Sequence, residues 1–411
     1  MKTAELLGDR GGPLTRAMAV AAGSRLFVLL VGFAAAALIG ISEPDWAWRF
    51  PAGAETFEGT LGSLLNPWAH WDGVWYIKIA RAGYADGDGS TAFFPLYPLI
   101  LRYAGFVFDG NLVVTGIVVS LLCFAGSSWL LFKLVARDFD ERVALRAVVY
   151  LSLFPTSFFL QAVYTESLFL LLSLACFYWA REGRWRLSGL AALLTVLTRS
   201  TGVLLVLPMA VYYFQARGWR LRRTDADAVN LLMIVNGLLI WMAYLSLSFG
   251  KPLLFAEAQD QWRRSLLLPN FSIGRAIEGA VQGARQLLSG QYLDAYWPVS
   301  QPGDAYSVAA ANLIALAFLA VAGACLAYGL RRLPPAYSLY GVASVAYPLF
   351  FPAKYVPLLS LPRFALAAFP IFVALALFTR DRPRAHRVVV TVMVLALLAL
   401  TARFALFEWV A

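Results

Sequence analysis

Residues 187–215, LSGLAALLTVLTRSTGVLLVLPMAVYYFQ, decide how this chain folds. The stretch is dominated by apolar side chains, and its one charge, Arg199, sits near the middle in Arg199-Ser200-Thr201-Gly202. A single spanning helix would leave that guanidinium at the centre of a bilayer, at a cost of about 2.5–3.5 kcal/mol or more. Two half-spans meeting at Arg199 put it at a turn instead. The first half, residues 187–198, makes only about 18 Å of helix, too short for a hydrocarbon layer of about 30 Å. The turn is therefore expected to be recessed within the membrane.

The rest of the chain fits the same solvent. Of its 411 residues 60% are apolar and 14% charged, against about 45–50% apolar in soluble domains, and the mean hydropathy is +0.68. Such a composition excludes a disordered chain or a disulfide scaffold. Cys123, Cys176 and Cys325 each lie in an apolar run and read as packing residues, not thiolate ligands. The net charge of +10 is spread over short clusters between apolar runs, which points to membrane lipids as partners and not to nucleic acid.

Those clusters set an orientation. They are Lys2/Arg10/Arg16, Lys133/Arg137/Arg142/Arg146, Arg181/Arg184/Arg186, Arg217/Arg220/Arg222/Arg223, Arg331/Arg332 and Arg380/Arg382/Arg384/Arg387, together 20 of the 34 Lys and Arg. If all face the cytoplasm, the chain crosses an even number of times between consecutive clusters. Runs 26–41 and 112–135 form an outward and a return crossing; 147–162 with 168–180, 229–249 with 307–330, and 336–351 with 364–378 are three further pairs. Run 388–407 then leaves the C-terminus outside. The apolar run near the N-terminus shows no small-residue cleavage site and reads as a first span, not a removed signal peptide. The expectation is a single all-α polytopic membrane domain over residues 1–411, with about 11 transmembrane helices, several of them short. The segments left outside are 42–111, 164–166, 199–201, 250–305 and 353–363. In the first of these loops, 93–108 reads as a helix lying in the interface. In the second large loop, Ile273, Ile277, Val281, Ala284 and Leu288 recur at helical spacing, as in an amphipathic helix on the membrane surface, serving as a lid or touching substrate.

Most candidates for chemistry fall in these outer segments. The densest stretch is HWDGVWYIKIARAGYADGDGSTAFFPLYPLILR, residues 70–102. Asp72, framed by Trp71, Trp75 and Tyr76, reads as the cap of a helix starting at Gly73, as a catalytic carboxylate, or as both. Glu166, in YTESLF, opens a helix beyond a short span, where an acid suits the helix dipole and equally suits a polar cavity. Asp86-Gly87-Asp88 has the spacing of a metal-binding pair and also of an ordinary turn. Arg199, Lys354 and Arg363 fall at recessed outer turns, where arginine suits a phosphorylated ligand through bidentate contacts; Lys354 reads equally well as an interfacial side chain. His70 lies apart from the basic face. No HExxH, GxSxG or Walker A motif occurs, so zinc proteolysis, elbow-serine hydrolysis and P-loop chemistry have no support.

Taken in order, HWDGVWYIKIARAGY, AFFPLYPLI, YTESLF, LTRSTG and PRFALAAFPIF resemble the PIG-V-like mannosyltransferases, relatives of the second GPI mannosyltransferase of eukaryotes, over about residues 66–372. The high net charge and short loops look more like a bacterial member. The resemblance implies the class C glycosyltransferase (GT-C) fold, with an aspartate in the first outer loop and a polyprenyl-phosphate sugar as donor. The acceptor would be a lipid-linked or glycan hydroxyl on the extracytoplasmic side of the plasma membrane. On it, Asp72 matches the family's acidic residue, Glu166 its second acid, and Arg199 and Arg363 the arginines of the later motifs, with Lys354 as a further candidate for the donor phosphate. His70, Trp71, Trp75, Tyr76, Tyr84, Tyr97 and Tyr164 are expected to line the substrate pocket. No metal is required, and Asp86 and Asp88 are the residues that would hold one. The competing readings are a transporter or lipid-linked sugar flippase, with Arg199 and Glu166 lining a path at the midplane, and a non-catalytic membrane subunit.

Overall fold

Prolines punctuate a chain that is otherwise helical. The computed structural model describes residues 12–40, 57–220, 222, 224–259, 264, 266–290, 305–354, 356–408 and 410, with backbone only at 305–307. Parts of the expected outer loops (42–56 and 291–304) and of the first basic cluster (Lys2, Arg10) lie outside the described residues. Pro13 opens α1 (Pro13–Leu38). The first outer loop holds α2 (Gly59–Leu65), α3 (Asp72–Ala82) and α4 (Leu96–Ala104). There follow α5 (Leu112–Asp138), α6 (Glu141–Leu153), α7 (Glu166–Arg181), α8 (Trp185–Thr198), α9 (Val206–Ala216), α10 (Leu232–Phe249) and α11 (Leu254–Glu257). The remainder is α12 (Pro269–Ser289), α13 (Ala305–Gly329), α14 (Pro335–Ala346), α15 (Leu361–Phe364), α16 (Pro370–Thr379) and α17 (Pro383–Ala405). No strand occurs among the described residues; Arg264 and Ala353 form an isolated antiparallel bridge.

Described members of the basic clusters meet at one end of the bundle. There Arg181 bonds Asp138 at 2.7 Å, Arg137 contacts Glu182, and Arg380 reaches Asp140 at 2.7 Å. Tyr337 at the start of α14 also donates to Asp138 at 2.6 Å, and Arg217 after α9 pairs with Asp225. These ties gather the C-termini of α5, α7 and α16 with the N-termini of α6 and α14, so the other ends of those helices lie on the opposite side. Asp72, Glu166, Arg199 and Arg363 all belong to that opposite side. The segregation of charge expected from the sequence is thus built into the fold.

Among the described residues, five helices are long and apolar enough to cross a membrane: α1, α5, α10 with the turn before it, α13 and α17. The shorter helices packed among them, α6 to α9, α14 and α16, have 10 to 16 residues, or about 15–24 Å of helix. A hollow opens where these short helices stop.

Three expected spans differ from those found. Run 147–162 stops as a helix at Leu153, because Pro155 forces Phe154 into an extended conformation (ψ 137°). A 3-10 turn (Ser157–Leu160) then leads to Glu166. Run 364–378 is broken by an 80° bend between Leu361–Ala367 and Pro370–Thr379: the backbone leaves the helical region at Ala368 (ψ 63°), and Pro370, which has no N–H to donate to the turn before it, opens the next helix. The first span begins at Pro13, not at residue 26, so Arg25 lies inside it and is buried. Its guanidinium donates to the carbonyls of Ser152 (2.9 Å) and Ser157 and lies 4.5 Å from the ring of Phe124. It thereby satisfies carbonyls freed where α6 ends.

The amphipathic helix expected in the second loop is α12, turned differently from a simple lid. Its small face, Ser272, Ala276, Gly279, Ala280 and Gly283, is buried against α13, and a Cβ at Gly283 would lie 2.8 Å from the Ala309 carbonyl. Ile277, Val281 and Leu288 are exposed. Segment 93–108 forms α4 and a 3-10 turn (Gly105–Phe108) packed on α3 and α5, with Phe106 and Val107 exposed as an interfacial element would have them.

Candidate active site

α3 presents its N-terminus to the hollow. Trp71 precedes it with φ 56° and ψ −119°, a conformation that a bulky residue adopts only under constraint. Asp72 is the first residue of the helix and makes no side-chain capping bond; the capping role weighed from the sequence is not the one found. Its Oδ2 accepts instead from Arg363 Nη1 at 2.6 Å. Arg363 is delivered by α15, whose preceding Ser360 also has a left-handed backbone (φ 65°). Strained residues thus stand on either side of this contact, and positions of that kind cost of order 1–3 kcal/mol each.

Arg363 turns its other edge to Glu166, Nε lying 2.9 Å from Oε1 without hydrogen-bond alignment. The same Oε1 accepts from Arg199 Nη1 at 2.5 Å. The order Asp72, Arg363, Glu166, Arg199 is therefore a continuous line of alternating charge, with side-chain exposures of 22, 10, 2 and 15%. Arg199 stands at the break between α8 and the 3-10 turn Ser200–Leu205, as the half-span reading requires. Gly202 closes that break so tightly that a Cβ there would lie 2.6 Å from the Val196 nitrogen.

The ring of Phe364 lies among three cations. It is 4.8 Å from the Arg199 guanidinium carbon, 5.6 Å from that of Arg363 and 5.9 Å from that of Arg264. A cavity of 790 Å³ spreads over this cluster, lined on its polar side by Asp72, Arg199, Arg264 and Arg363. Its apolar wall includes Trp71, Trp75, Phe93, Phe255, Tyr347 and Phe351. That size suits a phosphorylated sugar with the first units of a lipid chain.

The expected site residues separate into two sets. Asp72, Arg199, Arg363, Trp71, Trp75, Tyr76 and Tyr164 line the cavity. Tyr76 is held by Thr165 at 3.2 Å, and Tyr164 donates to the His70 carbonyl at 3.1 Å. Glu166 joins the ion-paired line but sits behind the cavity wall, buried, and holds two arginines in place. His70, Tyr84 and Tyr97, expected in the pocket, do not line it. His70 stacks between Phe404 and Phe407 (ring centroids 4.2 Å from each), Tyr84 packs on Trp241 and donates to the Phe93 carbonyl, and Tyr97 is buried against Ser120 and Tyr76. Lys354 is exposed and is not among the lining residues.

Asp86 and Asp88 are engaged by lysines, Lys251 at 3.1 Å and Lys78 at 2.9 Å. Burial opposes ionisation of Asp88, but hydrogen bonds from Lys78 and Ser90 outweigh it and hold the carboxyl below its ordinary pKa. Among the described residues no group of three or more His, Cys, Asp and Glu is placed to hold a metal ion.

Several lining residues were not singled out by sequence, chiefly Arg264, Phe364 and Phe404. Arg264 is one of five cations in segment 250–305, with Lys251, Arg263, Arg275 and Arg285, and nothing local sets it apart. The phenylalanines carried no signal either, being ordinary members of apolar runs.

Residues 51–217 match the Mannosyltransferase (PIG-V) family. The match takes in Asp72, Glu166 and Arg199, three of the four members of the ion-paired line, so the resemblance stated from the motifs holds from HWDGVWYIKIARAGY to LTRSTG, while PRFALAAFPIF with Arg363 lies beyond the matched residues. Over 213 residues the chain is 28% identical to GPI mannosyltransferase 2 of Drosophila melanogaster, covering 47% of each chain. Over 193 residues it is 26% identical to GPI mannosyltransferase 2 of Yarrowia lipolytica, covering 47% of this chain and 52% of that one. The chain thus spans about half the length of the curated relatives it matches. Among solved structures it is similar to the Archaeoglobus fulgidus oligosaccharyltransferase, with a TM-score of 0.43 and 14% identity over 94% of this chain and 52% of that one.

Proposed function

We propose that this protein is an integral membrane glycosyltransferase of the GT-C class. It transfers a sugar, mannose by its relatives' names, from a polyprenyl-phosphate donor to a lipid-linked or glycan hydroxyl on the extracytoplasmic side. The observation that carries this reading is the Asp72 carboxylate, fixed by Arg363 at 2.6 Å on the wall of a cavity that also presents guanidinium groups. A base beside cations, in a recess among short membrane helices, suits a reaction in which a hydroxyl loses a proton while a lipid phosphate departs.

In the proposed step, the acceptor oxygen attacks the anomeric carbon from the face opposite the phosphate. The bond from that carbon to the phosphate oxygen breaks with its electron pair staying on the oxygen, and the acceptor's proton passes to Asp72. The product has inverted anomeric configuration. Proton transfer to a positioned base typically contributes about 10²–10⁴-fold. The fixed guanidiniums lower the cost of charge growing on the phosphate, because they are oriented before reaction. Arg363 keeps the Asp72 carboxylate in one direction, and Glu166 keeps Arg363 and Arg199 from collapsing onto it. The positive clusters at the other end of the bundle support the extracytoplasmic side, and that side suits a lipid carrier, since nucleotide sugars stay in the cytoplasm.

The test is incubation of purified protein with radiolabelled polyprenyl-phosphate mannose and a lipid extract. Label covalently transferred to a new acceptor supports the reading. Movement of intact donor between vesicle leaflets would favour a transporter, and neither outcome a non-catalytic subunit.

A further inference from the structure

The line of alternating charge leaves a question of supply. Arg363 and Arg199 are the cations expected to meet the donor phosphate, yet each is already committed to a carboxylate. Arg264 is not. It lines the same cavity, and the hydrogen bonds it makes go to neutral acceptors, the carbonyls of Phe351 (3.3 Å) and Leu359 (3.4 Å). Those bonds, with the bridge to Ala353, fix the guanidinium against the segment that leads to α15. Burial and the nearby Arg363 pull its pKa down to about 10, which keeps it protonated at neutral pH.

Among the described residues the charges around Phe364 therefore do not balance. Three guanidiniums surround the ring, and among the described lining and adjoining residues two carboxylates, Asp72 and Glu166, answer them. A half-buried cation without a counter-ion is held at a cost unless something supplies one. An anion of single charge in the cavity that both Arg264 and Arg363 line would balance them.

Resting on the reading above, we propose that Arg264 is the group that anchors the lipid phosphate, while Arg363 and Arg199 hold the carboxylates. A phosphodiester donor carries one negative charge and fits the deficit. When the sugar leaves, the phosphate gains a second charge, and the guanidinium already facing it takes up the change. Because this contact is made in the bound donor and strengthens as the charge grows, Arg264 acts on donor affinity and on the chemical step.

The experiment uses the full chain in lipid nanodiscs, with farnesyl phosphate and the neutral alcohol farnesol as probes. The wild type is expected to bind the phosphate at least about tenfold more tightly than the alcohol, Arg264→Gln to lose that preference, and Arg264→Lys to keep part of it, since charge survives without the fork. Since Arg264 also holds two backbone carbonyls, a second measurement needs no variant: farnesyl phosphate should protect Arg264 of the wild type from phenylglyoxal, read by peptide mass spectrometry. An unchanged preference in Arg264→Gln, no preference in the wild type, or no protection would each overturn the assignment. A wild type that binds farnesyl phosphate through Arg264 but transfers no sugar would instead overturn the proposed transferase and leave the anchor standing.

Discussion

Arg363 Nη1 donates to Asp72 Oδ2 at 2.6 Å, joining residues separated by 291 positions in the chain. The contact ties the first outer loop to the bend ahead of α16, and so couples the proposed base to the fold itself. Arg363 is mostly buried, with Glu166 behind it. Removing one member of a buried charged set leaves the others uncompensated and typically costs about 3–5 kcal/mol.

Arg363→Ala is therefore expected to lower the unfolding midpoint clearly and to abolish transfer, with Arg363→Lys recovering much of the stability and less of the activity. Thermal unfolding in detergent, paired with initial rates, checks both. A stable Arg363→Ala protein would mean that the buried carboxylates find other partners.

Gly202 sets the geometry of Arg199 from below. A Cβ at this position would meet the Val196 nitrogen at 2.6 Å, and overpacking of this kind costs about 1–3 kcal/mol. Gly202→Ala should therefore push the 3-10 turn outward, carry Arg199 away from Glu166 and reduce turnover, while Gly183→Ala, where nothing lies within 4 Å but φ is +74°, should affect stability alone. Comparing turnover per folded molecule for the two variants separates displacement of the site from backbone strain.

The turn with Asp86 and Asp88 is held by Lys78 and Lys251. Asp86→Asn and Asp88→Asn are expected to keep turnover within about threefold of wild type, and a chelator to leave it unchanged. Because the folded Asp88 carboxyl titrates below its ordinary value, its contribution to stability is complete above the unfolded pKa and is lost as pH falls through the folded one. Acid unfolding of Asp88→Asn should accordingly show a weaker pH dependence below about pH 4 than wild type. Loss of activity in these variants that added Mg²⁺ reverses would show instead that the pair binds metal.

The sequence made some of this legible and hid the rest for physical reasons. Arg199 announced the break in residues 187–215 because a lone cation in an apolar run has few places to go. The charge segregation was readable because lysines and arginines recur between spans. Asp72 stood out by its aromatic neighbours, and Arg363 by its place beside Pro362. By contrast, the placing of Arg25 inside α1 depends on carbonyls that α6 exposes only once Pro155 has ended it. The stacking of His70 on Phe404 and Phe407 joins the first outer loop to the far end of the chain, with no local signal in either. Glu166 was readable as part of the site but not as a buried brace, since burial depends on which helices close around it.

Asp72 is the centre of the account, and Asp72→Asn tests it most directly because the substitution keeps the shape and removes the base. In purified, reconstituted protein supplied with polyprenyl-phosphate mannose, the variant should retain its unfolding midpoint and its binding of the lipid phosphate. Its transfer rate should fall at least about a hundredfold. A rate near that of wild type, measured on protein shown to be folded, would contradict Asp72 as the base.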